Sequence, residues 1–217
     1  MPRPSPARDY VRRAYTVSVS GSTDSGKTTL FLELSRLLRD NYSIAVVTRK
    51  PIPDRDGSRE FLLRHKALGA SRIVAVDENN SHLNLAIEWL MTECRPELIF
   101  VEDQDSGSDT DALPDFAIHV VNGSGGGISP DDAIGAQKSD LLVLNKTHIG
   151  PPLDLERDVA VRDSLQARGD APYVFAHLRY GIGTIEIARQ LLGSWRHTSA
   201  PAAWAMPLDG HVLLAPA

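Results

Sequence analysis

Eight consecutive residues, Gly21-Ser22-Thr23-Asp24-Ser25-Gly26-Lys27-Thr28, fit the pattern G-x-x-x-x-G-K-[ST] at every fixed position. Between a strand and a helix, such a loop turns successive backbone N–H groups toward one point and makes a concave anion site. The helix that follows adds the positive end of its dipole. In this arrangement Lys27 reaches the β- and γ-phosphates of a nucleotide, and the Thr28 hydroxyl ligates Mg²⁺. The chemistry is phosphate binding. The setting agrees: the run Tyr15–Ser20 precedes the loop, and Leu30, Leu34, Leu37 and Leu38 follow it at helical spacing. A plain glycine- and serine-rich turn is the competing reading, and the flanking strand and helix argue against it.

Two further groups of residues could complete a nucleotide site. Glu102 and Asp103 end the apolar run Leu98–Val101. A carboxylate at such a strand end can hold Mg²⁺ directly or through water, and Glu102 is preferred to Asp103 for that role. The competing reading is a solvated acidic strand end. The acidic, glycine- and serine-containing run from Glu102 to Asp111 reads as a switch segment that senses the γ-phosphate. Asn145-Lys146-Thr147-His148 follows the apolar run Leu141–Leu144. Guanine-specific P-loop proteins carry N-K-x-D at this place, where the Asp accepts two hydrogen bonds from the base. A neutral imidazole offers one acceptor and a protonated one none, so His148 cannot make that pair. Asp154 lies too far along the chain to take its place by assumption.

The elements that must position these residues follow from the pattern of apolar runs. At 217 residues the chain suits one α/β domain with a proper core. Its 42% hydrophobic and 24% charged residues are ordinary for a soluble globular protein. A net charge of -5 offers no basic stripe for nucleic acid. The single cysteine, Cys94, leaves no internal disulfide framework and no Cys-rich metal cage, and packing is its expected role. Arg3, Arg8, Arg12 and Arg13 are not followed by an apolar stretch, so no secretory signal is expected. No apolar run approaches the ~18 residues that span a membrane, and a cytoplasmic location is expected.

Short apolar strands alternate with helical stretches along residues 14–193, the expected nucleotide-binding domain. Residues 1–13 read as a disordered arm and residues 194–217 as an Ala/Pro-rich tail. The expected strands are Tyr15–Ser20, Ile44–Thr48, Ile73–Val76, Leu98–Val101, Ile118–Val121, Leu141–Leu144 and Tyr173–Phe175. Ser58 is a candidate cap for a helix carrying Phe61, Leu62, Leu63 and Leu68. A later helix has Leu83, Ala86, Trp89 and Leu90 on one face, and Thr184–Leu192 is the last. This alternation predicts an α/β P-loop NTPase fold, a mostly parallel sheet with helices on both faces. Ligands in such sheets sit at the carboxyl ends of the strands, where the motifs fall.

Over roughly Tyr15 to Leu192 the chain resembles the UreG family of urease accessory proteins. The resemblance rests on GSTDSGKTTL, on IAVVT (Ile44–Thr48) and on EFLLRHKAL (Glu60–Leu68). It continues in SDLLVLNKT (Ser139–Thr147) and PYVFAHLRYGIGTIEI (Pro172–Ile187). It implies a SIMIBI-class GTPase that helps deliver nickel to urease. The implied ligands are GTP, with ATP left open by His148, and Mg²⁺, with nickel as cargo. The implied nucleotide contacts are Gly21, Ser22, Thr23, Asp24, Ser25, Gly26, Lys27, Thr28, Asn145 and Lys146. Lys27, Thr28 and Glu102 would serve catalysis, with Thr28 and Glu102 on Mg²⁺. The implied partners are a second copy of the chain, the accessory proteins UreD (UreH in some naming) and UreF, and apo-urease.

The departures from the family are specific. Its Cys-Pro-His metal motif is absent from Val76–Leu85, where His82 is the lone histidine; a solvated or capping role is expected for it, and no nickel ligand is assigned. Lys50 stands where the family has an Asp near Mg²⁺, and a cation cannot ligate metal. The family's E-S-G-G-D becomes Glu102-Asp103-Gln104-Asp105-Ser106, and Gly125-Gly126-Gly127-Ile128 lacks the basic element of its glycine-rich loop. Three functions remain in play: GTP-dependent metallochaperone for urease, non-hydrolysing scaffold of the accessory complex, and a separate P-loop ATP- or GTP-dependent enzyme or adapter.

Overall fold

The computed structural model describes residues 13–48, 72–76, 80–102, 114–123, 129–146, 166 and 168–198. Within them seven strands form one sheet: β1 Tyr15–Ser20, β2 Ile44–Thr48, β3 Arg72–Ala75, β4 Leu98–Glu102, β5 Phe116–Asn122, β6 Leu141–Asn145 and β7 Tyr173–Phe175. Their order is β3-β2-β4-β1-β5-β6-β7, and every pairing is parallel. Strands β2 to β4 lie on one side of β1 and β5 to β7 on the other. The chain passes from β1 to β2 on one side and from the adjacent β4 to β5 on the other, so a crevice opens between the carboxyl ends of β1 and β4.

Among the described residues four α-helices cover the two faces: α1 Lys27–Leu38, α2 Asn80–Trp89, α3 Pro130–Lys138 and α4 Thr184–Thr198. The period-2 alternation of the strands decides which helix meets which face. Tyr15, Val17 and Val19 of β1 pack with Leu30, Phe31, Leu34 and Leu38 of α1 and with Ile187, Ala188, Leu191 and Leu192 of α4. On the opposite face Ala45, Val47, Ile99 and Val101 meet Leu83, Ala86 and Leu90. Beside them, Val121, Leu142 and Leu144 meet Ala136 of α3. Each such aliphatic side chain contributes about 1.5–3 kcal/mol when fully buried, so the core holds the strand ends in register. Partly buried Cys94 packs against the α2 side, the role expected of it.

Two expectations need correction. Trp89 is not on the buried face of α2; it is 48% exposed, while Leu83 and Leu90 are buried. Positions 83 and 90 are seven residues apart and return to one side of the helix, whereas 89 falls a helical step away. The last helix does not stop at Leu192 but runs to Thr198, so the boundary at 193/194 cuts through it. Trp195 is the reason. Its ring stacks on Tyr15 at 5.6 Å and lies 5.4 Å from Tyr42, and the Tyr15 hydroxyl donates to Ser194 Oγ at 3.0 Å. Burial at this clamp pushes the Tyr15 phenol up to about 12. The expected helix after Ser58, Lys50, Asp103, the acidic run to Asp111, Gly125–Ile128, Thr147, His148 and Asp154 lie outside the described residues. So do the arm before Arg13 and the tail after Thr198. No helix among the described residues is long and apolar enough to cross a membrane.

Candidate nucleotide site

The parallel register brings five strand ends together. Val19 of β1 and Thr48 of β2 both pair with Glu102 of β4, while Ser20 pairs with His119 of β5 and Asn122 with Asn145 of β6. The loop Gly21–Lys27 leaves β1 above them and turns through three left-handed positions: Gly21 at φ 140, Asp24 at φ 60 and Gly26 at φ 109. Two of these must be glycine for reasons of space as well. A Cβ on Gly21 would lie 2.1 Å from the Val120 carbonyl oxygen, and one on Gly26 would lie 2.2 Å from Asn145 Nδ2. The loop is pressed onto the sheet at both ends.

Gly26 is the N-cap of α1. It brings no side-chain cap, and the first turn of the helix carries no acidic residue. The leading N–H groups of α1 thus keep their pull on an external anion. The Ser25 hydroxyl is buried inside the loop and has no hydrogen-bond partner. An orphaned buried hydroxyl beside uncapped amides fits a phosphate oxygen, which would satisfy it. The Lys27 ammonium is folded back on the loop and donates to the carbonyls of Gly21 and Ser22, the latter at 2.8 Å. A lysine so placed holds the loop closed on itself and is poised over its concave side.

Glu102 is the next component. It is 1% exposed, with the Thr28 hydroxyl donating to Oε1 at 2.9 Å and the Thr48 hydroxyl donating to Oε2 at 3.0 Å. The solvated strand end is thereby overturned: this carboxylate is buried and joined to the very hydroxyl expected to ligate Mg²⁺. Thr28 and Glu102 together form a hard oxygen donor set of the kind Mg²⁺ prefers. The two side chains fit that ion. Thr48 was missed in the sequence. Its signal was there, since it ends the apolar strand IAVVT, but only the β2–β4 register places it on Glu102.

Asn145 and Lys146 join the loop from the other side. Asn145 is buried, donates from Nδ2 to the Ser25 carbonyl at 2.8 Å, and accepts from Leu178 N–H at 3.0 Å through Oδ1. It braces the loop to β6 and to the short helical turn Leu178–Tyr180 after β7. Lys146 has φ 61 and donates from Nζ to the Asp24 carbonyl at 2.6 Å. Of the residues assigned to the site from sequence, the structure gathers Gly21 to Thr28, Glu102, Asn145 and Lys146 into one connected cluster. His82 lies apart, exposed in the first turn of α2. Among the described residues no group of three or more His, Cys, Asp or Glu side chains is placed to hold a metal ion.

The sheet order, the loop on β1 and the carboxylate at the end of β4 define a P-loop NTPase fold of the SIMIBI class. No family model matches the chain. Solved structures do share its fold. The hydrogenase maturation factor HypB from Archaeoglobus fulgidus aligns with a TM-score of 0.66 at 18% identity, over 83% of this chain and 89% of its own. HypB from Helicobacter pylori, solved in complex with nickel, gives 0.61 at 16% identity over 88% and 92%. A GTPase from Pyrococcus abyssi in its apo form gives 0.50 at 14% identity over 83% and 97%. At these identities the likeness is one of fold.

Proposed function

We propose that this chain is a nucleotide-dependent accessory protein for a nickel metallocentre, with urease as the enzyme served and GTP as the nucleotide. The observation that carries the nucleotide reading is the buried Thr28–Glu102–Thr48 link beneath an uncapped, glycine-rich loop. The nickel reading is supported by the sequence resemblance to UreG. The fold shared with HypB, which one neighbour's structure holds in complex with nickel, supports it as well.

In this reading Lys27 and the loop amides neutralise phosphate charge, and the dipole of α1 adds to them. Mg²⁺, held by the Thr28 hydroxyl and by Glu102 directly or through water, would supply further neutralisation at the phosphates. Thr48 fixes the second oxygen of Glu102, so the carboxylate cannot rotate away. Asn145 keeps the base side of the loop in place. Catalysis of this type is positioning and charge stabilisation, with water as the phosphoryl acceptor. The chain would act in the cytoplasm as a homodimer, in a complex with UreD (or UreH), UreF and apo-urease.

A second reading is a scaffold that binds nucleotide without turning it over. Lys50, in place of an acidic residue near the metal, and His148, in place of the base-reading Asp, favour it. Two measurements separate the readings. GTP and ATP are titrated against the full chain and its Lys27→Ala variant, with phosphate release followed in parallel. The chain is then expressed in a urease-positive strain lacking its own UreG. Nucleotide affinity lost in Lys27→Ala, by about 100-fold for two charge-assisted hydrogen bonds, is the expected result. Restored urease activity supports the metallochaperone; binding without turnover or restoration supports the scaffold. Equal affinity in both proteins would refute the site.

A further inference from the structure

One buried polar chain lies beside the loop and has no part in the mechanism above. His119 interrupts the apolar strand β5 and is fully buried. Its Nδ1 lies 2.9 Å from Ser20 Oγ, at the last residue of β1, and its Nε2 lies 3.2 Å from Asp132 Oδ1 on α3. The same Asp132 oxygen accepts the Ser22 N–H at 3.2 Å, while its other oxygen accepts from the Ser129 hydroxyl at 2.9 Å. The contacts close a circuit from Ser20 through His119 and Asp132 to Ser22. Gly21, with φ 140, is the residue between them. Gly135 of α3 lacks a side chain where the imidazole lies: a Cβ there would sit 2.3 Å from His119 Cε1. Helix glycine is unfavourable by roughly 0.5–1 kcal/mol against alanine, so the ring's place has been made at a cost in stability.

A buried carboxylate next to a phosphate site opposes the ligand's charge. Here it also takes one loop N–H for itself. We infer that His119 and Asp132 are positioning residues for the phosphate loop, holding the Gly21–Ser22 turn in its phosphate-ready form from the α3 side. His119 orients the carboxylate, and the carboxylate orients the Ser22 peptide. Nucleotide affinity then depends on a pair that does not touch the nucleotide, because a loop fixed beforehand loses less freedom on binding. This rests on the nucleotide reading of the same loop.

The test is a titration of Mg²⁺ with GDP into the unmutated chain, Asp132→Ala and Asp132→Asn, with melting temperatures measured beside it. Asp132→Ala removes the acceptor and is expected to weaken GDP about tenfold, as for one hydrogen bond to a charged group. Asp132→Asn keeps an oxygen for the Ser22 N–H and is expected to bind within about twofold of the unmutated chain, or more tightly, since the opposing charge is gone. In the ¹⁵N-labelled unmutated chain, the Ser22 amide and the His119 ring nitrogens are expected to shift on GDP addition. Equal affinity for Asp132→Ala overturns the inference, as do unmoved Ser22 and His119 resonances in a chain that binds. Should Asp132→Ala fail to fold, the resonances decide. No GDP binding by the unmutated chain would overturn the nucleotide site itself, and this inference with it.

Discussion

The amino ends of helices α1 and α3 flank the same loop, and they are treated in opposite ways. Helix α3 has Ser129 as N-cap, accepting the Asp132 N–H at 3.1 Å, with Pro130 at its start and Asp131 and Asp132 in its first turn. Its dipole is answered from within by two carboxylates. Helix α1 has Gly26 as N-cap, no side-chain cap and no acidic residue in its first turn. The two helices are alike in kind, so their dipoles do not distinguish them. What makes one a candidate anion site and the other a closed end is the side chains each spends on its own amides. Asp132 connects the two, since it serves the first turn of α3 and also takes the Ser22 N–H of the loop that leads into α1.

Closing the open end should have the largest effect. Gly26→Ala forces a left-handed residue to carry a Cβ, which would overlap Asn145 Nδ2. Asn145 can move only by giving up its bonds to Ser25 and Leu178. Backbone strain and one or two lost buried hydrogen bonds amount to roughly 3 kcal/mol. A chemical denaturation series should show that loss, and nucleotide titration should show no binding. A variant as stable as the unmutated chain would mean that the uncapped end does not depend on glycine.

Much of the open end was legible in the sequence, and little of the closed one. A phosphate loop works through contiguous backbone, so its pattern is written in consecutive letters from Gly21 to Thr28. Glu102 was legible because an apolar strand ends on it. Thr48 was not, because its partner is found across a strand pairing that no local pattern gives. His119 and Asp132 escaped for the same reason: a histidine in an apolar strand and an aspartate at a helix start are each ordinary alone. Gly135 was the available hint, a glycine within a helix where nothing turns. The parallel sheet and its strands were read correctly, since continuous apolar runs are a strong signal. The end of α4 was misread because the Ala/Pro-rich letters beyond it outweighed Leu191, Leu192 and Trp195, which share helical spacing.

The closed end offers a milder test. Ser129→Ala removes the N-cap of α3, and an N-cap hydroxyl is worth about 1 kcal/mol. The melting temperature should drop by a few degrees. Nucleotide affinity should fall less than in Asp132→Ala, because Asp132 keeps His119 and the Ser22 N–H after Ser129 is lost. If affinity falls as far as in Asp132→Ala, the cap and the loop are one unit and the contrast between the helices must be redrawn.

The smallest expected effect is a pH dependence, and it separates Asp132 from its neighbour Asp140. Burial pushes the Asp132 carboxyl up, but hydrogen bonds from His119 and Ser129, the His119 charge and the Ser22 N–H outweigh it and hold the group below its ordinary 3.8. A carboxylate depressed in the folded state contributes stability above its unfolded value and loses it as pH falls through the folded one. Asp140, at the end of α3, moves the other way: burial raises it, against the Ala117 N–H and the Arg168 charge. Its effect on stability is most favourable below the unfolded value and is lost as pH rises through the folded one. Acid denaturation of the whole chain sums both, so the comparison must be made variant by variant. Urea melts from pH 6 down to about pH 3 should show a shallower acid loss in Asp132→Asn than in the unmutated chain, and a steeper one in Asp140→Asn. Equal slopes would mean that His119 and Ser129 do not hold the Asp132 charge in the folded protein, and that the end of α3 is closed by geometry alone.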